Sequence, residues 1–337
     1  MIWPLFPKLE EPDYGAWECH FPSGIGGSAF SSPGFQRMMF REYGQGWQLR
    51  CLRVTGGSPD LSLPVFARLN RFRRYDLAVF PIAYYVIPIE LEVVTTETVT
   101  RVLDEVDRMG VSTFVWWLPP WTSWRGDEIN TRRYGGRLKS GMGDTYALSC
   151  DTSYEDHMAR RVWKTHRYKV NASLSRGLEI FDTPSPDLID EYYELYVRIY
   201  AEQRWVGPAF SRQFFHDVSG SLGLGGKLLV MRLNSHVVGG GVLLIDRHAV
   251  HYFQGTVDRA AKQVFPHAVL YSEALRYAYE HHIPFVNLGG VNPGNSSLIE
   301  FKKSWGAEPM AVPGLTWRCS MAQAGRMAVQ KLRIKAF

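Results

Sequence analysis

Two stretches of this chain run through the same order of patterns, and that repetition constrains the fold more than any single motif. In the first, Trp47 to Val54 and Leu63 to Leu69 are strand-like runs around a Gly-Gly-Ser-Pro-Asp turn, the pattern of a hairpin. Leu77 to Phe80 offers a third strand. Thr96 to Met109 then places Val99, Val102, Leu103 and Val106 on one helical face, and Ser112 to Leu118 is a buried strand beyond Gly110. The second stretch begins near Cys150. Leu228 to Leu233, Val237 to Ile245 and Ala249 to Phe253 predict an antiparallel meander. Pro266 to His281 predicts a helix with proline in its first turn, and Pro284 to Leu288 a strand closed by Gly289-Gly290. Strand, strand, helix, strand is an α/β layer, so the chain is expected to be α/β with two similar halves.

The length of 337 residues agrees, since a domain takes roughly 100–200 residues. Other helices are expected from Ser32-Pro33 through Arg41, from a Ser153/Asp156 cap along a basic run to about Arg176, from Pro186 to Ala201, and after Ser211.

Composition excludes several function classes. Hydrophobic content of 45% with 21% charged residues argues against disorder. The four cysteines are scattered without a CxxC pair, which argues against a zinc site and suits a reducing cytoplasm. No apolar run reaches the ~20 residues of a membrane helix, and Met1 to Glu10 lacks the pattern of a secretory signal. Gly24 to Ser28 lacks the Lys-Ser/Thr of a phosphate loop. There is no HExxH and no convincing Ser/His/Asp or Cys/His set, so neither a metal, a cofactor nor a covalent nucleophile is expected. The net charge is only +5, yet cations cluster at Arg71, Arg73 and Arg74, at Arg160 to Lys169, and at Arg326 to Lys335. These suit a polyanionic partner or plain solvated faces.

Three blocks make the second half specific. Lys164 to Ala172 is a basic helix leading to Gly177-Leu178-Glu179. His251-Tyr252-Phe253-Gln254-Gly255-Thr256 is followed by Pro266 to Ala274. Asn287-Leu288-Gly289-Gly290 precedes Phe301-Lys302-Lys303-Ser304-Trp305. In this order the blocks resemble the Fem-like branch of the GNAT acyltransferases, with Asn287 in place of the aspartate of a "DFGG … FKxxF/W" element. The resemblance covers about Tyr154 to Pro309 and is looser before it. It implies two tandem GNAT-like domains sharing a cleft, over residues 1–150 and 151–309, with residues 310–337 returning to complete the first.

The resemblance also implies an enzyme that forms an amide between an activated acyl or aminoacyl group and an amine. Lys302 is the expected stabiliser of negative charge, with Lys303 its possible substitute and a plain surface lysine the alternative. Asp258 is the candidate to orient or deprotonate the amine, or else a turn aspartate. Phe301, Lys303 and Arg167 are expected at the donor, and Arg204, Tyr252 and Gln254 at the acceptor. Tyr252 and Gln254 are expected to face one side of a strand. Lys262 to Ala268, where GNAT enzymes hold a pyrophosphate on a glycine-rich loop, has no glycine and carries Phe265. Aminoacyl-tRNA is therefore the favoured donor and acyl-CoA the alternative. The acceptor is an amine-bearing peptide, amino acid or cell-wall precursor. Met39 stands near a basic position of the precursor-binding relatives. A non-catalytic GNAT-shaped binding module is the reading from another class.

Overall fold

The computed structural model describes residues 28–70, 74–78, 86–88, 90–91, 94–122, 129, 131–134, 137–203, 210–220, 225–292 and 294–319. Arg204, Gly24 to Gly27 and the basic run Arg326 to Lys335 lie outside them. In chain order the first elements are α1 (Pro33–Tyr43), β1 (Gln48–Val54), β2 (Leu61–Leu69), β3 (Tyr75–Ala78), α2 (Thr96–Arg108), β4 (Thr113–Trp117) and β5 (Leu138–Ser149). Then come α3 (Tyr154–Arg160), α4 (Lys164–Ser175), β6 (Glu179–Phe181), α5 (Pro186–Glu202), α6 (Arg212–Ser219) and β7 (Gly226–Leu233). The last are β8 (His236–Ile245), β9 (Ala249–Val257), α7 (Pro266–Glu280), β10 (Phe285–Asn287), α8 (Ser296–Lys303) and β11 (Glu308–Arg318). The chain divides into two compact units, Met1–Trp17 with Tyr43–Gly143 and Val312–Phe337, and Glu18–Glu42 with Asp144–Ala311.

In the first unit β1, β2 and β3 form an antiparallel meander. Helix α2 carries the chain to β4, parallel to β3, and β11 pairs antiparallel with β4. The Thr95 hydroxyl caps α2 by accepting from Thr98 N–H at 3.2 Å, and Val99, Val102, Leu103 and Val106 are buried. Trp116 and Trp317 fill the core, their indole N–H groups donating to the carbonyls of Val86 and Val111. The Trp117 ring crosses the bare backbone of Gly143 and Gly314, where an added Cβ would come within 3.1 and 2.6 Å of it. Those glycines interrupt the alternation that marks a strand, and neither β5 nor β11 is legible in the sequence.

The second unit repeats the order. Strands β6 to β9 are antiparallel neighbours, α7 crosses to β10 parallel to β9, and the end of β5 pairs antiparallel with β10. Helices α5 and α7 cover opposite faces. A side chain on Gly240 would strike Tyr192 of α5, and one on Gly241 would press on Leu270 of α7. Leu229, Met231, Leu243, Val250 and Val286 pack with α7 in the core. The stretch from Ala29 to α1 also belongs here. Phe30 and Phe35 pack edge-on against His251 and Phe253 respectively, and Met39 is fully buried. The single basic helix expected after Ser153 is instead two. Val162 turns inward, and Trp163, in extended conformation, donates its N–H to the carbonyl of Ser304 before α4 begins.

Candidate active site

The site begins where two strands part. Parallel pairing of β9 with β10 lasts three residues, from Ala249↔Phe285 to Asn287↔His251. Among the described residues β9 then continues to Val257 with no strand on that side, so its backbone edge is open there. A cavity of about 880 Å³ lies at this end of β9, bounded by Gln254 to Arg259, by Phe265 to His267 at the start of α7, and by Ile199, Tyr200 and Gln203 of α5. Its volume is that of a small-molecule site.

A β-bulge shapes its wall. Leu243 pairs with Tyr252 but Val242 pairs with Gln254, leaving Phe253 as the extra residue. Phe253 and Gln254 consequently share the α5 face, and Tyr252 faces α7, where it lies 4.7 Å from the Tyr271 ring. Tyr252 and Gln254 are thus on opposite faces, contrary to the regular alternation expected from the sequence. Gln254 accepts from the Tyr192 hydroxyl at 2.9 Å and donates to Thr256 at 2.6 Å, which fixes its amide. The Tyr252 hydroxyl is buried where a side chain on Gly255 would be, behind the cavity-lining Gly255 backbone, and has no hydrogen-bond partner among the described residues. Burial raises its pKa well above 10, so it stays a neutral O–H.

Among the titratable groups that line the cavity, Asp258 and His267 are shifted by their surroundings. Burial pushes the Asp258 carboxyl up, but Arg198, 2.8 Å away, and the Ala260 N–H outweigh it and hold it below the usual range. A carboxylate so stabilised is a weak base and a good anchor for a cation. His267 stands in the first turn of α7 and was given no role from the sequence. His267 keeps part of its surface exposed, and desolvation by the surrounding protein lowers its pKa from 6.5, which leaves a neutral imidazole at pH 7. The helix start adds to this, because its dipole disfavours an imidazolium. Phe265, just before α7, adopts φ 37° and ψ 55°, the left-handed conformation that favours glycine. The turn therefore has a glycine's backbone while its ring bounds the cavity.

The remaining expected residues do not line this cavity. Lys302 is buried, and its ammonium donates to the carbonyls of Leu288, Gly289 and Gly290 at 2.6, 2.8 and 3.2 Å. Burial lowers its pKa to about 8. Gly289, at φ +78°, gives the turn a conformation that few other residues adopt. Lys303, its neighbour, is exposed. Phe301 packs edge-on against His166 and Tyr271. Arg167 donates to the carbonyls of Met158 and Ala159 at the C-terminus of α3. Beneath the strands, Asp246, His251, Asn287 and Thr145 form a buried hydrogen-bonded chain. Among the described residues no group of His, Cys, Asp and Glu could hold a metal ion.

Comparison with known proteins places this geometry. The sequence model of the family described as Acetyltransferase (GNAT) domain matches residues 160–303, which hold the parted strands and the cavity. Residues 160–303 are therefore similar to a GNAT domain. The fold is similar to that of FemX, with a TM-score of 0.66 at 12% identity over 91% of this chain and 96% of that one. It is also similar to the C-terminal domain of a putative lysylphosphatidylglycerol synthetase from Agrobacterium fabrum, at TM-score 0.57 and 11% identity over 94% and 96% of the two chains. The L-PGS from Bacillus licheniformis gives 0.54 and 13%, over 98% and 99%. A comparison of the sequence with curated proteins finds no match. The α/β class and the tandem Fem-like organisation expected from the sequence agree with the family match and the FemX fold. No helix among the described residues is long and apolar enough to cross a membrane.

Proposed function

We propose that the chain is an amide-forming acyltransferase whose donor is an aminoacyl group esterified to RNA, bound with its acyl end in the cavity beside β9. The observation that carries this reading is Phe265. A diphosphate needs close approach to the backbone at a helix start, and here a phenylalanine ring stands at that turn. A carrier whose phosphates lie outside the cavity avoids it.

The residues divide the chemistry. The acceptor nitrogen attacks the ester carbonyl, the C–N bond forms, and the C–O bond to the carrier breaks. His267, neutral at pH 7, takes the proton from nitrogen and passes it to the departing oxygen of the carrier, which leaves as a hydroxyl. The Tyr252 hydroxyl, kept protonated and without a protein partner, donates to the oxygen on which charge develops. Asp258 holds a cationic group of donor or acceptor, and Gln254 fixes the wall. Lys302 acts at one remove, by bracing the turn that ends β10. The acceptor is an amine on a peptide, amino acid or cell-wall precursor. Acyl-CoA is the second donor reading, favoured by the family description of the matched domain.

Incubation with a pool of aminoacyl-tRNA and a panel of amines, with mass spectrometry of the products, tests this. Amide products that disappear with Tyr252→Phe support it. Products formed from acetyl-CoA and never from aminoacyl-tRNA replace the donor.

A further inference from the structure

Of the four large hydrophobic side chains exposed among the described residues, three belong to one stretch of chain. They are Trp163, Tyr168 and Leu174, at 56%, 63% and 46% exposure, on or at the cap of α4. At 100° per residue, Trp163, Leu174, Arg167, Asn171, Lys164 and Tyr168 fall within an arc of roughly 140° on the outer side of the helix. Single exposed apolar residues are ordinary, but three together on a twelve-residue helix mark an interaction face.

Charge narrows the partner. Helix α4 carries Lys164, Arg167 and Lys169 and no acidic residue, a charge that complements an anionic partner. Several of its cations are already engaged. Arg167 serves the end of α3, Lys169 lies 5.5 Å over the Phe265 ring, and Arg176 donates to the Gln263 carbonyl. Arg160 pairs with Asp156. Lys164 and, beside Trp163, Lys303 have no ion pair among the described residues. Two such cations are few for tracking a nucleic-acid backbone, and Leu174 offers no stacking surface for a base. Two aromatics, a leucine and flanking lysines are instead the composition of a helix lying in the headgroup region of a bilayer.

We propose that the outer face of α4 docks on an anionic membrane surface. The inner side of the same helix meets the rim of the cavity, where Ser173 donates to the Val264 carbonyl at 2.5 Å and Lys169 covers Phe265. Docking therefore sets the cavity beside the headgroups. This inference stands apart from the choice of donor and needs no transfer activity.

The test is flotation of the full chain with vesicles of phosphatidylglycerol and phosphatidylcholine in equal parts, with pure phosphatidylcholine vesicles and total tRNA as parallel probes. The expected result is binding to the anionic vesicles, weaker binding to the neutral ones, and an about tenfold lower bound fraction for Trp163→Ser/Tyr168→Ser/Leu174→Ser. Lys164→Glu, at an exposed position, gives a second reading and lowers binding to the anionic vesicles alone. Thermal melting confirms that both variants are folded. Wild-type protein that stays with the soluble fraction, or vesicle binding unchanged in both variants, overturns the proposal. So does tRNA binding that the triple substitution abolishes while vesicles remain unbound, which would make this an RNA face.

Discussion

Asn287 donates through Nδ2 to Nδ1 of His251 at 3.1 Å, and this bond fixes the tautomer of a fully buried ring. The amide cannot be turned over, because Oδ1 accepts from the Thr145 hydroxyl at 2.6 Å and from the Gly289 N–H at 2.9 Å. Nδ1 of His251 is therefore the acceptor, and Nε2 carries the proton to Asp246, 3.0 Å away. Asp246 also accepts from the N–H groups of Ala29, His248 and Ala249. An aspartate at position 287 could not donate to Nδ1, which gives the departure from the DFGG pattern a physical reason.

The first prediction follows from that chain. Asn287→Ala removes the bonds that the Thr145 hydroxyl, the Gly289 N–H and Nδ1 of His251 make to the amide, at a cost of about 2–4 kcal/mol in chemical denaturation. Asn287→Asp keeps an acceptor for Thr145 and Gly289 but offers Nδ1 of His251 no donor, so the ring no longer rests in the Nε2 tautomer alone, which long-range nitrogen correlation spectra read. A variant that keeps the Nε2 tautomer unchanged would refute this account of the network.

Tyr252 separates function from stability. Its hydroxyl has no partner among the described residues, so Tyr252→Phe leaves the denaturation midpoint unchanged or slightly raised, within about 1 kcal/mol. The same change lowers kcat about 100-fold if the hydroxyl meets developing charge. Equal loss of stability and rate would mean that the hydroxyl is structural.

The pH dependence of transfer reports His267. Its pKa lies below 6.5, so kcat/KM rises with pH through an inflection below that value and is level at pH 7. His267→Ala removes the inflection. An inflection that survives the substitution would assign the base to another group.

Lys302 gives a prediction of opposite character. Its folded pKa of about 8 lies below the ordinary 10.5, so between those values the unfolded chain holds more protons than the folded one. Stability from this group rises with pH in that window. The stability difference between wild type and Lys302→Met, about 2 kcal/mol at neutral pH for three stranded carbonyls, therefore widens above pH 8. A constant difference would show that the three carbonyls hold the ammonium at its ordinary value.

What was legible in the sequence was periodicity. The apolar face of α2, the Ser153 and Ser211 caps and the meander from β7 to β9 could all be read, because each repeats a side-chain spacing that burial enforces. Strands β5 and β11 could not, since glycines under Trp117 and a proline at 313 erase the alternation. Gln254 and Asp258, which line the cavity, lie on or just after a strand of recognisable pattern. The side that Tyr252 faces depends on a bulge, a feature of register between strands that leaves no local mark. His267 was visible as a residue of the α7 turn, but its cavity exists only once α5 packs beside β9.

The central claim is that the cavity beside β9 takes an RNA-borne acyl group because Phe265 denies the turn to a diphosphate. Parallel titrations of aminoacyl-tRNA and acetyl-CoA, with salt varied, on wild type and Phe265→Gly test it most directly. The account predicts salt-sensitive binding of aminoacyl-tRNA by the wild type, no acetyl-CoA binding, and acetyl-CoA binding gained in Phe265→Gly. Tight acetyl-CoA binding by the wild type with no response to tRNA would contradict it.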